Sequence, residues 1–154
     1  MNIQETVDYH LNSTVFAMRR MYSLLAAESG ITNGIGSALS YIGREGVPAT
    51  KIGPMMGMTP SSLSRLLKTM EDDGLIYRQP DLVDKRVVMI FLTETGFILR
   101  EKVKKVVIDF TNRLLTKISI EDLQAFIRVN NEIKAQVKED VEAFQKNLKI
   151  NNSQ

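Results

Sequence analysis

Residues 50–96 read TKIGPMMGMTPSSLSRLLKTMEDDGLIYRQPDLVDKRVVMIFLTETG. Glycines, prolines and threonines divide this run before any apolar pattern is counted. Just upstream, Pro48 removes a backbone donor and turns Val47 away from helical geometry, so a short helix over 49–56 follows a break. Gly57 suits the left-handed conformation that ends a helix. Thr59 is an N-cap type, and Pro60 fits the first helical position, where its missing N–H is no loss. A helix over 60–73 starts there, with Leu63, Leu66, Leu67 and Met70 along one side. Gly74 stops it, and Leu75 is placed for the apolar contact that follows such a stop. Residues 75–79 and 87–92 read as strands joined by a charged turn, and Thr93 caps the next helix.

Helix, tight turn, helix, hairpin is the order of a winged helix-turn-helix, which lays one helix in the DNA major groove with a β-hairpin beside it. On the 60–73 helix, Ser61, Ser64, Arg65 and Lys68 fall at i, i+3, i+4 and i+7, opposite the leucines. Small hydroxyls allow close approach and either donate or accept; arginine presents a two-pronged fork to guanine, and lysine suits phosphate. The acidic Glu71-Asp72-Asp73 lies at the far end of the helix, away from phosphate. Asp84, Lys85 and Arg86 occupy the hairpin tip. An arginine there can enter the minor groove, and Asp84 can hold it by a charge-assisted hydrogen bond. Taken singly, the stripe also describes a solvated helix face, and the tip a charged turn that keeps an edge strand soluble. The order of the elements favours the DNA-binding reading.

Around this module the chain is helical. Ile3, Val7, Leu11, Val15, Met18, Tyr22 and Leu25 predict a helix over 3–27, ended by Gly30. Thr32 caps a second helix with Ile35, Leu39 and Ile42 inward; Gly34 and Gly36 weaken it. Beyond Thr93 come a helix bearing Ile98 or Leu99, Val103, Val106, Phe110 and Leu114, and one from Ser119 to about Leu148. The fold class is mainly α with a small β-hairpin wing. Residues 31–96 form the winged helix-turn-helix, residues 1–30 and 97–148 a helical dimerisation region, and 149–154 a disordered tail.

The bulk numbers exclude more than they assert. The 154 residues are 44% hydrophobic and 25% charged, as in an ordinary globular protein. Net charge is +2, too slight to argue for nucleic acid alone, but residues 44–68 carry four cations against Glu45. With no cysteine, there is no disulfide framework, thiolate metal site or thiol switch. The apolar runs are too short to cross a bilayer, and the first residues lack signal-peptide blocks. A cytoplasmic protein with no membrane partner fits both facts. His10 stands alone, with no carboxylate at i±3 or i±4, and is read as a surface or dimer-interface residue. No nucleophile motif, phosphate loop or metal-ligand spacing occurs, so neither an enzyme nor a cofactor is expected.

The run Asp81-Leu82-Val83-Asp84-Lys85-Arg86, followed by Val88, Ile90, Leu92-Thr93 and Gly96, resembles the wing of the MarR family of bacterial transcription regulators. Ser62-Leu63-Ser64-Arg65-Leu66-Leu67-Lys68 and Gly74-Leu75-Ile76-Tyr77-Arg78 resemble that family's recognition helix and its exit. The resemblance implies a homodimer in which Ser61, Ser62, Ser64, Arg65 and Lys68 face the major groove. Thr59 at the helix start is counted with them. Lys85 and Arg86 form the wing tip, with Asp84 supporting Arg86. Repression is the family expectation. The chain departs from the pattern where Val87, Met89 and Phe91 put apolar side chains on the outward face of the wing strand, against Val88, Ile90 and Leu92 inward.

The long terminal stripes exceed what one small module covers, and a second copy is the economical cover. Two-fold symmetry then predicts successive major grooves, about 34 Å apart, and a pseudo-palindromic operator. The resemblance further implies a small phenolic or lipophilic effector between the dimer helices and the DNA-binding lobe. Candidate liners are Met18, Tyr22, Tyr41 and Met55, with Met21 and Met56 beside them; for most of these, core filling is the competing role. A second function class stays open: a non-catalytic protein-interaction module docking through the outward apolar strand face.

Overall fold

A computed structural model describes residues 2–151. The N-terminal segment is two helices rather than the single one expected. A 3₁₀ turn, Ile3–Glu5, is closed by reciprocal bonds between Asn2 and Glu5. Thr6 is extended and accepts the Tyr9 N–H at 3.3 Å, starting α1 (Val7–Glu28) afresh. Thr32 caps α2 (Asn33–Tyr41) by accepting the Ile35 N–H at 3.2 Å. Next come β1 (Val47–Pro48), α3 (Ala49–Met56), α4 (Pro60–Asp72), β2 (Ile76–Pro80), β3 (Val88–Leu92), α5 (Glu94–Leu114) and α6 (Ile120–Asn151). Helix α6 thus runs three residues past the expected Leu148 into the segment read as a tail; residues 152–154 lie outside those described.

The sheet order is β1-β3-β2, antiparallel throughout. The hairpin pairs Ile76 with Leu92, Arg78 with Ile90 and Pro80 with Val88. Sequence patterning missed β1, whose two residues pair with Met89 and Ile90 some forty positions away. Leu39, Ile42, Ile52, Met70 and Ile90 are fully buried, drawn from α2 and the residue that follows it, α3, α4 and β3. Each such side chain contributes about 1.5–3 kcal/mol by leaving water. Gly36 is buried in α2 without crowding, so it costs propensity and nothing else.

The wing strand departs from its expected alternation. Ile90 and Leu92 do face the core, but Val88 is exposed because the hairpin has run past the core at that point. On the other face Phe91 stacks on Tyr77, centroids 5.4 Å apart, and its ring covers Gly46 so closely that a Cβ there would sit 2.6 Å from it. That face therefore packs on its own loop and neighbouring strand.

The chain divides into two compact units, Met1–Val107 and Ile108–Gln154. Residues 1–30, expected to group with the C-terminal helices, fall in the first unit with the 31–96 module. In the second, Ser119 caps α6: its hydroxyl accepts the Asp122 N–H at 3.0 Å and the Asp122 carboxylate accepts from both its N–H and hydroxyl.

Candidate nucleic-acid interface

Gly57 adopts φ +62° and ends α3, and the Met58 N–H donates back to the Gly53 carbonyl at 3.0 Å. This turn delivers Thr59 as the N-cap of α4, with Pro60 at its start. The Thr59 hydroxyl accepts the Ser62 N–H at 3.3 Å, donates to the Ser62 hydroxyl at 3.0 Å and lies 3.2 Å from the Ser61 hydroxyl. Three hydroxyls are thus clustered at the positive end of a helix dipole.

Leu63, Leu67 and Met70 are buried, while Ser61, Ser64, Arg65 and Lys68 are exposed and Ser62 is half-buried on the flank. The expected outward stripe is therefore where periodicity put it. Its two cations differ. Among the described residues the Arg65 side chain has no hydrogen-bond or ion-pair partner. Lys68 bridges both oxygens of Asp72, at 2.9 and 3.1 Å. That pair is exposed at both ends and contributes only about 0.3–0.5 kcal/mol, so Lys68 is readily drawn to a stronger anion. Glu71 accepts from Arg78 Nε at 3.0 Å. Two of the three acidic residues are thus neutralised locally.

The tip beyond β2 is closed by Asp81 N–H to the Val87 carbonyl and Val87 N–H to the Asp84 carbonyl, both 2.9 Å. Asp81 Oδ1 accepts the Val83 and Asp84 N–H groups, each at 2.9 Å. Asp84 accepts the Arg86 N–H at 3.1 Å and grips its guanidinium through Nε at 3.0 Å and Nη2 at 3.1 Å. Asp84 is held below the usual carboxylate range first by the Arg86 side chain and then by the Arg86 backbone; Asp81 is lowered by the backbone N–H groups of Asp84 and Val83. The Arg86 guanidinium is correspondingly raised by Asp84. A depressed carboxylate supplies its contribution above its ordinary pKa and loses it as pH falls through the depressed value, so the tip stays organised through neutral pH. Lys85 is exposed beside Arg86.

A cavity of about 140 Å³ opens between α1, α2 and the middle of α5. Tyr22, Leu25, Ile31, Val103 and Val106 line it, with Asn33, Ser37 and Lys102 as polar members. Of the four expected liners only Tyr22 is there. Met18 lies one turn earlier on α1, Tyr41 is exposed at the end of α2, and Met55 is exposed on α3. The residues that sequence reasoning missed, Asn33, Ser37 and Lys102, carry no motif; they meet because separate helices converge. His10 touches the Tyr9 ring edge, centroids 5.6 Å apart, and no cluster of metal-binding side chains occurs among the described residues.

A family model described as the MarR family matches residues 43–88. An organic hydroperoxide resistance transcriptional regulator of Bacillus subtilis is 33% identical over 125 residues, which cover 80% of this chain and 84% of that protein. The HTH-type transcriptional regulator PetP of Rhodobacter capsulatus is 36% identical over 69 residues, 44% of this chain and less than half, 42%, of PetP. The crystal structure of the S. aureus MepR–DNA complex superposes with a TM-score of 0.70 over 93% of this chain and 99% of that one; at 23% identity the likeness is one of fold.

Proposed function

This chain belongs to the MarR family of transcriptional regulators, and on that premise we propose that it is a homodimeric repressor that reads a pseudo-palindromic operator in the cytoplasm. The observation that carries the reading is the α4 face: Ser61, Ser64, Arg65 and Lys68 lie in water while the leucines one step round are buried, and an ordered basic tip belongs to the same module. In this reading residues 31–96 contact DNA: Thr59, Ser61, Ser62, Ser64, Arg65 and Lys68 meet the major groove, while Lys85 and Arg86 meet the minor groove or its phosphates. The MepR complex, solved on DNA, supports the same use of the fold.

Residues 1–30 and 97–148 supply the dimer contacts. Phe16 and Leu24 on α1 and Phe126, Val137, Val141 and Phe144 on α6 are all exposed. Helix α6 extends about 48 Å, and its exposed apolar residues from Phe126 to Phe144 span about 27 Å of it, a stripe that a second copy would cover. Selection of bound sequences from a random duplex pool is expected to return a two-fold symmetric consensus, with half-site centres about 10 base pairs apart and affinity falling steeply with salt. An asymmetric consensus, or a monomer by sedimentation at working concentration, rejects this reading.

Asp84→Asn tests the tip. It removes the charge that aims Arg86 and also a negative charge facing phosphate, so the two effects offset in total affinity. Overall affinity is expected to change by less than about threefold, while sequence preference at the flanking minor-groove positions flattens. Unchanged flanking preference would mean that Arg86 is not aimed by Asp84.

We further assign the α1–α2–α5 cavity a small lipophilic or phenolic effector that shifts the spacing of the two recognition helices. Its apolar walls and single cation, Lys102, suit such a molecule. The B. subtilis relative is named for organic hydroperoxide resistance; these 154 residues hold no cysteine, so a thiol switch is not the chemistry assigned to this cavity. The alternative, a protein-docking module using the outward strand face, has less surface to offer, because Phe91 stacks on Tyr77 and lies over Gly46.

A further inference from the structure

We propose that Leu82 and Val83 form an apolar cap on the wing tip that packs against the deoxyribose walls of the minor groove beside Arg86. The inference rests on the DNA-binding reading above and adds to it a contact that carries no charge.

Val83 is 95% and Leu82 80% exposed, the two most exposed large apolar residues among those described. A hairpin tip ordinarily takes Gly, Asn, Asp, Ser or Pro, each for a conformational or hydrogen-bonding reason. Neither aliphatic residue has such a use here. Nor does either find shelter: both lie beyond the last ladder pair, Pro80 with Val88, and outside the Asp81–Val87 closure. They are also held in place, because Asp81 Oδ1 binds the Val83 and Asp84 N–H groups and so pins the backbone that presents them. A fixed, exposed aliphatic pair is a liability in water unless a partner covers it.

The neighbours on the same tip identify that partner. Within five residues stand Lys85 and Arg86, both exposed, and Arg86 is clamped in one direction by Asp84. Leu82 and Val83 share the pinned tip with Arg86, so a surface that takes in the tip is within reach of all three. The partner must therefore offer negative potential and apolar walls together. The minor groove does both: its narrow segments concentrate negative potential, its sides are sugar C–H surface, and apolar side chains do enter it.

The test is titration of the Leu82→Ser, Val83→Ser double variant, at several salt concentrations, against the duplex that the wild-type protein selects from a random pool. Both residues are exposed, so an unchanged thermal melt is expected to accompany the substitution. The double variant is expected to bind about tenfold more weakly at every salt, with the slope of log affinity against log salt unchanged. Arg86→Ala, by contrast, is expected to reduce that slope by about one. Leu82→Met with Val83→Ile, which keeps the apolar surface, is expected to bind as wild type does. The proposal is overturned if the double variant binds as tightly as wild type, or if its salt slope falls along with its affinity. It is equally overturned if the double substitution abolishes self-association or adhesion to phosphatidylglycerol vesicles while leaving duplex affinity intact. Should the wild-type protein bind no duplex at low salt, the DNA reading fails and the tip contact with it.

Discussion

Gly96→Ala is expected to lower stability by about 3 kcal/mol or more, a large share of the 5–15 kcal/mol that holds a typical domain together. Gly96 is buried in the first turn of α5, and a Cβ on it would run into the Leu75 carbonyl, oxygen first. This obstacle is backbone rather than a side-chain tip, and it is tied down. The Leu75 carbonyl accepts the Thr93 N–H at 3.0 Å. The Thr93 hydroxyl donates to the Gly74 carbonyl at 2.6 Å and itself accepts the Gly96 N–H at 3.0 Å. Relieving the clash would break the knot that joins the exit of α4 to the start of α5. For a chain of this size the midpoint of thermal unfolding is expected to fall by about 10 °C. Gly43→Ala is the control: its added Cβ meets nothing within 4 Å, so it should melt within a few degrees of wild type. If the two variants melt together, the close approach at Leu75 is not what Gly96 serves.

Arg65→Ala is expected to weaken binding to the selected operator by about tenfold to a hundredfold and to erase preference at one base position in each half-site. Arg65 projects from the exposed side of α4, one turn beyond the Thr59–Ser61–Ser62 hydroxyl cluster, and no described residue engages its guanidinium. Its fork is free to pair with a base without first leaving a partner. Lys68→Ala should behave differently. Lys68 already holds Asp72, so its net gain from a phosphate is smaller, and the loss should be modest, spread over all sequences and visible as a salt slope reduced by about one. Binding measured against every single-base variant of the operator separates the two. A uniform loss for Arg65→Ala, or a position-specific loss for Lys68→Ala, would reverse their roles.

The parts of this molecule that were legible in advance share a physical trait: they are local. Thr59, Pro60, Gly57 and Gly74 each act on backbone within a few residues, so the bounds of α3 and α4 follow from composition. The outward stripe of α4 follows from the helical period, because burial of Leu63, Leu67 and Met70 leaves the other side no choice. Pairings across the chain were less accessible. The ladder from Val47 to Ile90 gains its hydrogen bonds only after a long loop has closed, and two residues carry no alternation to betray it. In sequence the outward apolar face of β3 has no visible cover, whereas in the fold Phe91 stacks on Tyr77 and lies over Gly46. Residue type alone points to methionine and tyrosine as cavity liners. Type does not say which helix faces converge, and only Tyr22 of the four lies on the cavity.

From its order of residues alone this protein determined the bounds of α3 and α4 and which side of α4 is polar, since those are settled by dihedral preference and by water's exclusion of leucine within one element. Tertiary structure alone decided that β1 pairs with β3, that Gly96 must lack a side chain against the Leu75 carbonyl, and that Phe91 closes over Gly46. Those outcomes depend on distances between atoms far apart along the chain, and no periodicity in a sequence encodes them.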